Sequence, residues 1–248
     1  MFRKLISIFA ALMLLAAISL DATASPVLSG TNENGAADST PRVKTKLNLA
    51  ILIQDDLVSR VGNELNVTRD FIRSLPEGSR VMVGYITTGT LQVRQPFTTD
   101  LDRAARSLRV PVASASATVY NPYVEVLEAL KHFDGQGGNQ QNAILLISDG
   151  LDISQGFDVT AAGHTLDLER AMNEAKRRNV AIYTFYAPSV GLTSFDRTAA
   201  FYGQASLSRI AHETGGRAFF QGPTDFVTFN GYFERFRKVL DDRSLTAY

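Results

Sequence analysis

The chain has 248 residues, of which 25 are basic and 25 acidic, and 45% of the residues are hydrophobic. This composition is typical of a folded globular protein, because disordered chains are less apolar and more highly charged. With zero formal net charge and no basic tract, the chain is not expected to bind nucleic acid. The absence of cysteine excludes disulfides, cysteine-ligated zinc, iron–sulfur clusters and thiol catalysis.

The first 24 residues have the pattern of a secretory signal peptide. Arg3 and Lys4 precede an apolar run from Leu5 to Leu20, and Ala22-Thr23-Ala24 supplies the small residues that signal peptidase recognises. A retained membrane anchor is the alternative, but the 16 residues of this run are fewer than the roughly 20 that cross a bilayer. We therefore expect cleavage after Ala24, a secreted or periplasmic protein, and no stable membrane span after cleavage.

Residues 25–46 predict a flexible linker, because Ser, Thr, Asn, Gly, Asp and Pro dominate and no periodic apolar face is present. From Leu47 the pattern changes to alternating strands and helices, which predicts one domain over residues 47–243. Residues 47–54 and 143–147 are short apolar runs, typical of central strands that are covered on both faces.

Two further strand-like runs, 80–87 and 91–97, are separated by Thr88-Gly89-Thr90, which predicts a hairpin with one antiparallel edge strand. Residues 180–186 and 217–221 also have strand patterns. Helical patterns occur at Val61 to Leu75, Asp100 to Leu108, Tyr123 to Phe133, Leu168 to Ala175, Leu207 to Ala211 and Phe229 to Leu240. The sequence therefore predicts a doubly wound, Rossmann-like α/β fold with a mostly parallel six-stranded sheet and one antiparallel edge strand.

Several common catalytic motifs are absent. The loop after the first strand is acidic and lacks the glycine fingerprint of a dinucleotide site, and neither a P-loop nor a G-x-S-x-G nucleophile elbow occurs. His132, His164 and His212 are each explained as helix-end or surface residues. No catalytic residue is therefore predicted.

Oxygen-bearing side chains follow the predicted central strands. Asp55, Asp56 and Ser59 come after the first strand, Thr118 precedes a helix, and Asp149 ends the second central strand. Because ligands of doubly wound sheets bind at the carboxyl ends of the strands, these side chains could hold a hard divalent cation. The alternative is that they cap the helices that follow.

At these positions the chain resembles the von Willebrand factor type A (VWA) family, in particular its exported bacterial members. The resemblance rests on residues 53–59, 117–120, 146–150 and 213–219, and it extends from Leu47 to Leu240. It implies a metal-ion-dependent adhesion site with Asp55, Ser59, Thr118 and Asp149 as ligands and Mg²⁺ or Mn²⁺ as the ion. The site is degenerate, because Leu57 stands where the family motif has its first serine.

The resemblance further implies an exported, non-catalytic, adhesion-type domain that binds an unidentified protein ligand through a rim-bound cation. Two alternatives stay open: a metal-assisted hydrolase that uses Asp55, Asp56 and Asp149, and a metal-free structural scaffold. The segment from Pro188 to Gly203 carries Phe195, Phe201 and Tyr202. These aromatic residues predict either a binding surface or a cover that seals the sheet.

Overall fold

The computed structural model describes residues 46–112, 121–133, 140–160, 164–220 and 228–246, with side chains described up to residue 241. The predicted signal peptide, the predicted linker up to residue 45, and Thr118 lie outside these residues. No helix in the described ranges is long and apolar enough to cross a membrane.

A six-stranded sheet has the strand order β3-β2-β1-β4-β5-β6. The strands are β1 Lys46–Gln54, β2 Arg80–Thr87, β3 Thr90–Thr98, β4 Gln140–Ser148, β5 Val180–Tyr186 and β6 Ala218–Phe219. The edge strand β3 pairs antiparallel with β2, and all other neighbours are parallel. The predicted fold class and the predicted antiparallel edge strand are both confirmed.

In the described ranges, six α-helices accompany the sheet: α1 Leu65–Arg73, α2 Leu101–Arg106, α3 Pro122–Leu130, α4 Leu166–Arg177, α5 Arg197–Glu213 and α6 Asn230–Thr246. Four of these helices begin at a side-chain cap. A backbone N–H in the first turn of α2, α3, α4 and α5 donates to the side chain of Asp100, Asn121, Thr165 and Asp196, respectively.

Two helix predictions need correction. The predicted helix from Val61 to Leu75 is a 3-10 helix over Ser59–Glu64 followed by α1; Gly62 and Asn63 disfavour α-helix, and no side chain caps the start. The predicted helix from Leu207 to Ala211 begins earlier, at Arg197, because Asp196 caps α5. Phe201 and Tyr202 therefore lie on this helix and not in a loop.

The sheet is buried between two helical layers. Leu49, Ile51 and Ile53 of β1 face the apolar cluster formed with α1, α2 and α6, whereas Ala50 and Leu52 face the cluster with α3, α4 and α5. Residues Leu47 to Gln54 are all buried, which explains why β1 reads as a continuous apolar run rather than an alternating one. Parallel pairing brings the carboxyl ends of β1, β4 and β5 to one edge of the sheet.

Candidate functional site

We call the loops at this edge, residues 55–58, 149–160 and 187–196, the rim. They follow β1, β4 and β5 respectively. Two predicted site residues, Asp55 and Asp149, lie there and are buried, with 8% and 5% of their surfaces exposed. Each has different neighbours, so the rim contains two separate polar arrangements.

Asp55 is held by an arginine from a distant loop. The Arg109 guanidinium donates from Nη1 to Oδ1 of Asp55 at 2.6 Å and from Nη2 to Oδ2 at 2.8 Å. The backbone N–H of Val112 donates to Oδ1 at 3.0 Å. Both carboxylate oxygens of Asp55 are therefore engaged in a bidentate ion pair, which is among the strongest polar contacts that a carboxylate makes.

Tyr85, at the end of β2, fixes the arginine in place. The Arg109 guanidinium carbon lies 4.0 Å from the centre of the Tyr85 ring, and a cation over an aromatic face is attracted to it. The Tyr85 hydroxyl donates to the Arg109 carbonyl at 2.6 Å and accepts the Arg109 N–H at 2.7 Å. Hydrogen bonds to Asp55 raise the pKa of Arg109, so the guanidinium is charged at any physiological pH.

The second arrangement is a buried network around Gln54, the last residue of β1. The Gln54 amide donates to Asp56 Oδ1 at 2.7 Å, and its oxygen accepts from the Ser148 hydroxyl at 2.5 Å. On the far side, the Leu151 N–H donates to Oδ1 of Asp149 at 3.1 Å and the Thr193 hydroxyl donates to Oδ2 at 3.2 Å. The network joins the three rim loops into one unit.

Burial makes the two acidic side chains of this network harder to ionise. Desolvation, followed by the charge of Asp149, raises the pKa of Asp56 to about 7. Desolvation also raises the pKa of Asp149, although hydrogen bonds from its neighbours partly oppose this shift. Two buried carboxyl groups that share one environment disfavour simultaneous ionisation.

Leu57 belongs to the core rather than to the rim surface. Its side chain is fully buried in the apolar cluster of α1, α2 and α6. Its backbone forms an antiparallel bridge with Ser189, flanked by hydrogen bonds from Val58 N to Pro188 O at 3.0 Å and from Val190 N to Asp56 O at 2.8 Å. The loop after β1 is thus fixed in place by backbone pairing and by an apolar side chain.

The described residues differ from the divalent-cation site that the resemblance implies, of which Thr118 lies outside the described ranges. Both oxygens of Asp55 bind Arg109, Leu57 offers no oxygen atom, and Ser59 is exposed at the start of a 3-10 helix. Among the residues that the structure describes, no group of three or more His, Asp or Glu side chains is placed to share a metal ion. The structure therefore brings Asp55, Asp56 and Asp149 to one rim, with Asp55 already neutralised by a cation of the chain itself.

A pocket of about 490 Å³ opens beside this rim, between residues 151–158, the start of α4 and the side of α5. Its lining includes the carboxylates of Asp152, Asp158 and Asp167 and the guanidinium of Arg170. Asn121 donates to Asp152 at 3.1 Å and to Asp167 at 2.9 Å, which ties α3 to the pocket wall. The pocket is thus acidic, with three carboxylates against one guanidinium.

Large apolar side chains are exposed around the same edge. In the part of the chain that the structure describes there are eight: Val110, Val112, Val124, Val159, Leu166, Phe195, Phe201 and Phe220. Each lies in a segment at the carboxyl edge of the sheet or in the first two turns of a helix that begins there. Phe195 is 77% exposed and Phe201 65% exposed, so of the two alternatives, a cover that seals the sheet does not apply to these two rings.

Four important residues of this region were not predicted from the sequence: Tyr85, Arg109, Ser189 and Thr193. Ser189 and Thr193 lie in the loop after β5. A search for hydroxyl groups after this strand, as after β1 and β4, would have identified them. Arg109 had no local signal, because its partner Asp55 lies 54 positions away.

Comparison of the sequence with protein-family models and with curated proteins gives no match. Solved structures do share the fold. An aerotolerance-related membrane protein from Bacteroides fragilis NCTC 9343, with multiple mutations to serines, is 14% identical with a TM-score of 0.55, over 80% of this chain and 99% of that chain. BatB from Bacteroides thetaiotaomicron is 14% identical with a TM-score of 0.50, over 82% and 100%.

A von Willebrand factor type A protein from Catenulispora acidiphila is 17% identical with a TM-score of 0.51, over 79% of this chain and 42% of that chain. The strand order, the antiparallel edge strand and the flanking helices agree with this likeness. The described residues therefore share the fold of von Willebrand factor type A domains.

Proposed function

We propose that the chain is an exported, non-catalytic domain that binds another protein through the rim and the apolar side chains around it. The observation that carries this proposal is the one-sided distribution of the eight exposed apolar side chains. Exposed apolar groups that cluster on one side of a domain mark interaction sites, because a partner that covers them removes apolar surface from water. The rim network supplies a rigid base for such contacts.

One aromatic member of this surface, Phe201, is connected to the acidic pocket through neighbouring rings. The ring of Phe157, which lines the pocket, lies 6.3 Å from the ring of Tyr202, and Tyr202 lies 5.6 Å from the exposed Phe201. A partner segment that combines apolar side chains with one lysine or arginine matches both features. The apolar side chains would cover Phe201 and its neighbours, and the basic group would enter the pocket beside Asp158.

Export rests on the pattern of residues 1–24, and the similar fold of an aerotolerance-related membrane protein and of BatB is compatible with a role at the cell envelope. The hydrolase alternative is disfavoured by the ion pair of Asp55. A carboxylate whose two oxygens are bound by Arg109 is not free to bind a catalytic metal or to attack a substrate.

Site-specific photo-cross-linking tests the binding surface. A photoreactive phenylalanine analogue is placed at Phe195, at Phe201 and, as a control, at Glu77, an exposed residue in the turn before β2 and thus at the opposite edge of the sheet. In the cells that make the protein, we expect one cross-linked partner from the first two positions and none from Glu77. The Asp158→Asn variant should weaken that cross-link. Equal cross-linking at all three positions, or none at Phe195 and Phe201, would contradict the proposal.

A further inference from the structure

The Arg109 guanidinium is surrounded by groups that stabilise a positive charge. The guanidinium contacts Asp55 with two nitrogens, lies over the ring of Tyr85, and donates to the Val110 carbonyl at 3.1 Å and to the Gln92 side chain at 3.3 Å. Four of its five N–H groups are thus used in the structure. Only 25% of the Arg109 side chain is exposed, so the charge is held within the rim rather than at its surface.

The loop that carries the arginine is held independently of its side chain. The Tyr85 hydroxyl binds both backbone groups of Arg109, and the Arg69 guanidinium donates to the Leu108 carbonyl at 3.0 Å. The Val112 N–H adds a third donor to Asp55. Because the loop is fixed on both sides of Arg109, the guanidinium is positioned before any ligand arrives.

We infer that Arg109 takes the place of the divalent cation that the resemblance implies beside Asp55. The rim then keeps its conformation without a metal ion and, resting on the proposed function, binds its partner without one. A metal beside Asp55 would neutralise a buried carboxylate and tie the loop after β1 to neighbouring loops. Arg109 does both, through a bidentate pair and through the backbone of its own loop. Leu57 agrees with this inference. It stands where the family motif has a serine ligand, and its apolar side chain is packed in the core instead.

An arginine differs from an ion in one important way: it is covalently attached and does not dissociate. The charge at Asp55 is therefore independent of cation concentration, chelators and the competing metals of the environment. Because nearly all its donors are already used, Arg109 is a positioning residue and not the group that contacts the partner.

The first test is made on the unaltered full chain by NMR with Mn²⁺ as the probe. A paramagnetic ion bound near Asp55 and Asp149 would broaden their backbone amide signals at micromolar to millimolar concentrations. We expect no selective broadening at Asp55, Val112 or Asp149, and a guanidinium signal of Arg109 that persists in 10 mM Mg²⁺. Selective broadening of these amides, lost in Asp149→Asn, would overturn the inference.

The second test asks whether the site accepts an ion when the arginine is removed. In Arg109→Met, Asp55 has no internal cation, and 10 mM Mg²⁺ or Mn²⁺ should raise the midpoint of thermal unfolding by about 2–4 °C through binding to the native state. The unaltered chain and Asp55→Asn/Arg109→Met should show no such rise. An Arg109→Met variant that folds and does not respond to either ion would show that the arginine does not replace a cation. If that variant does not fold, the NMR result on the unaltered chain decides the question.

Discussion

Arg109 and Asp55 are 54 positions apart in the sequence and form a bidentate ion pair at the carboxyl end of β1, with nitrogen–oxygen distances of 2.6 and 2.8 Å. The pair lies where the VWA resemblance implied a metal ion. It links the end of the central strand β1 to the loop after α2, and its contribution to stability can be measured with single variants.

Loss of Arg109 should destabilise the fold more than loss of an exposed arginine. Arg109→Met leaves a nearly buried carboxylate without its cation, and we expect the free energy of unfolding to fall by about 2–3 kcal/mol in urea denaturation. Arg73→Met is the matched control. Its ion pair with Asp102 is exposed on both sides, so a loss below about 0.5 kcal/mol is expected.

The coupling between the two residues is isolated by a double-mutant cycle with Asp55→Asn. Since neither side chain retains its partner once the other is removed, the double variant should lose less than the sum of the single variants, by at least about 1 kcal/mol. Additive losses would show that the ion pair contributes little to stability.

Gly203 permits a close approach between α5 and the loop after β4. A Cβ at Gly203 would lie 2.0 Å from the Asp149 carbonyl oxygen, and a Cβ at Gly150 would lie 2.3 Å from the Gly203 carbonyl oxygen. Gly203→Ala should therefore displace the rim loop and reduce the free energy of unfolding by about 2 kcal/mol or more.

Gly231→Ala is the control for this substitution, because nothing lies within 4 Å of the added carbon. It should be neutral or stabilise by a few tenths of a kcal/mol, since alanine restricts the unfolded chain. A similar small effect at Gly203 would contradict the close approach of the two segments.

Glu125 gives the fold a predictable dependence on pH. The residue is buried on α3, and desolvation, with a smaller contribution from the charge of Glu128, raises its pKa from 4.5 to about 7. Between these values the unfolded chain ionises while the folded chain keeps its proton. The free energy of unfolding should therefore fall as pH rises from 4.5 to 7, by up to about 3 kcal/mol.

Glu125→Gln removes this ionisation, so it should be more stable than the unaltered chain at pH 8 and show a smaller fall between pH 4.5 and 7, because the raised pKa values of Asp56 and Asp149 still contribute. Glu234→Gln, at an exposed position on α6, is the control for replacement of a glutamate. Urea denaturation at a series of pH values measures all three chains. An unchanged slope in Glu125→Gln would contradict the assignment.

The proposed export predicts a defined mature terminus. Protein isolated from the cells that make it should begin at Ser25, and N-terminal sequencing or intact mass measures this. Ala24→Asp should block processing, because signal peptidase requires a small residue before the cut. A retained Met1 or Phe2 terminus would favour the membrane anchor instead.

A phosphatase assay tests the hydrolase alternative. With a chromogenic phosphomonoester and 5–10 mM Mg²⁺, we expect no turnover above buffer. Turnover that is abolished by Asp55→Asn would favour the enzyme and contradict a non-catalytic role.

The sequence by itself determined the architecture. Alternating patterns of buried strand and amphipathic helix predicted the parallel sheet, and Thr88-Gly89-Thr90 between two strand-like runs predicted the antiparallel β3. These features depend on residues that are close in the sequence, because the spacing of apolar residues decides which face of a strand or helix is buried. The same logic placed Asp55 and Asp149 at one edge, because parallel strands align their carboxyl ends.

Only the tertiary structure decided what surrounds those carboxylates. Arg109 has no periodic or motif signal, and it meets Asp55 because the Tyr85 hydroxyl of β2 binds the backbone of the loop after α2. Leu57 enters the core because Ser189 pairs with its backbone. Local sequence encodes burial and turns, but contacts between loops depend on the order of the strands in the sheet. The pairing of Arg109 with Asp55 was therefore visible only in the tertiary structure.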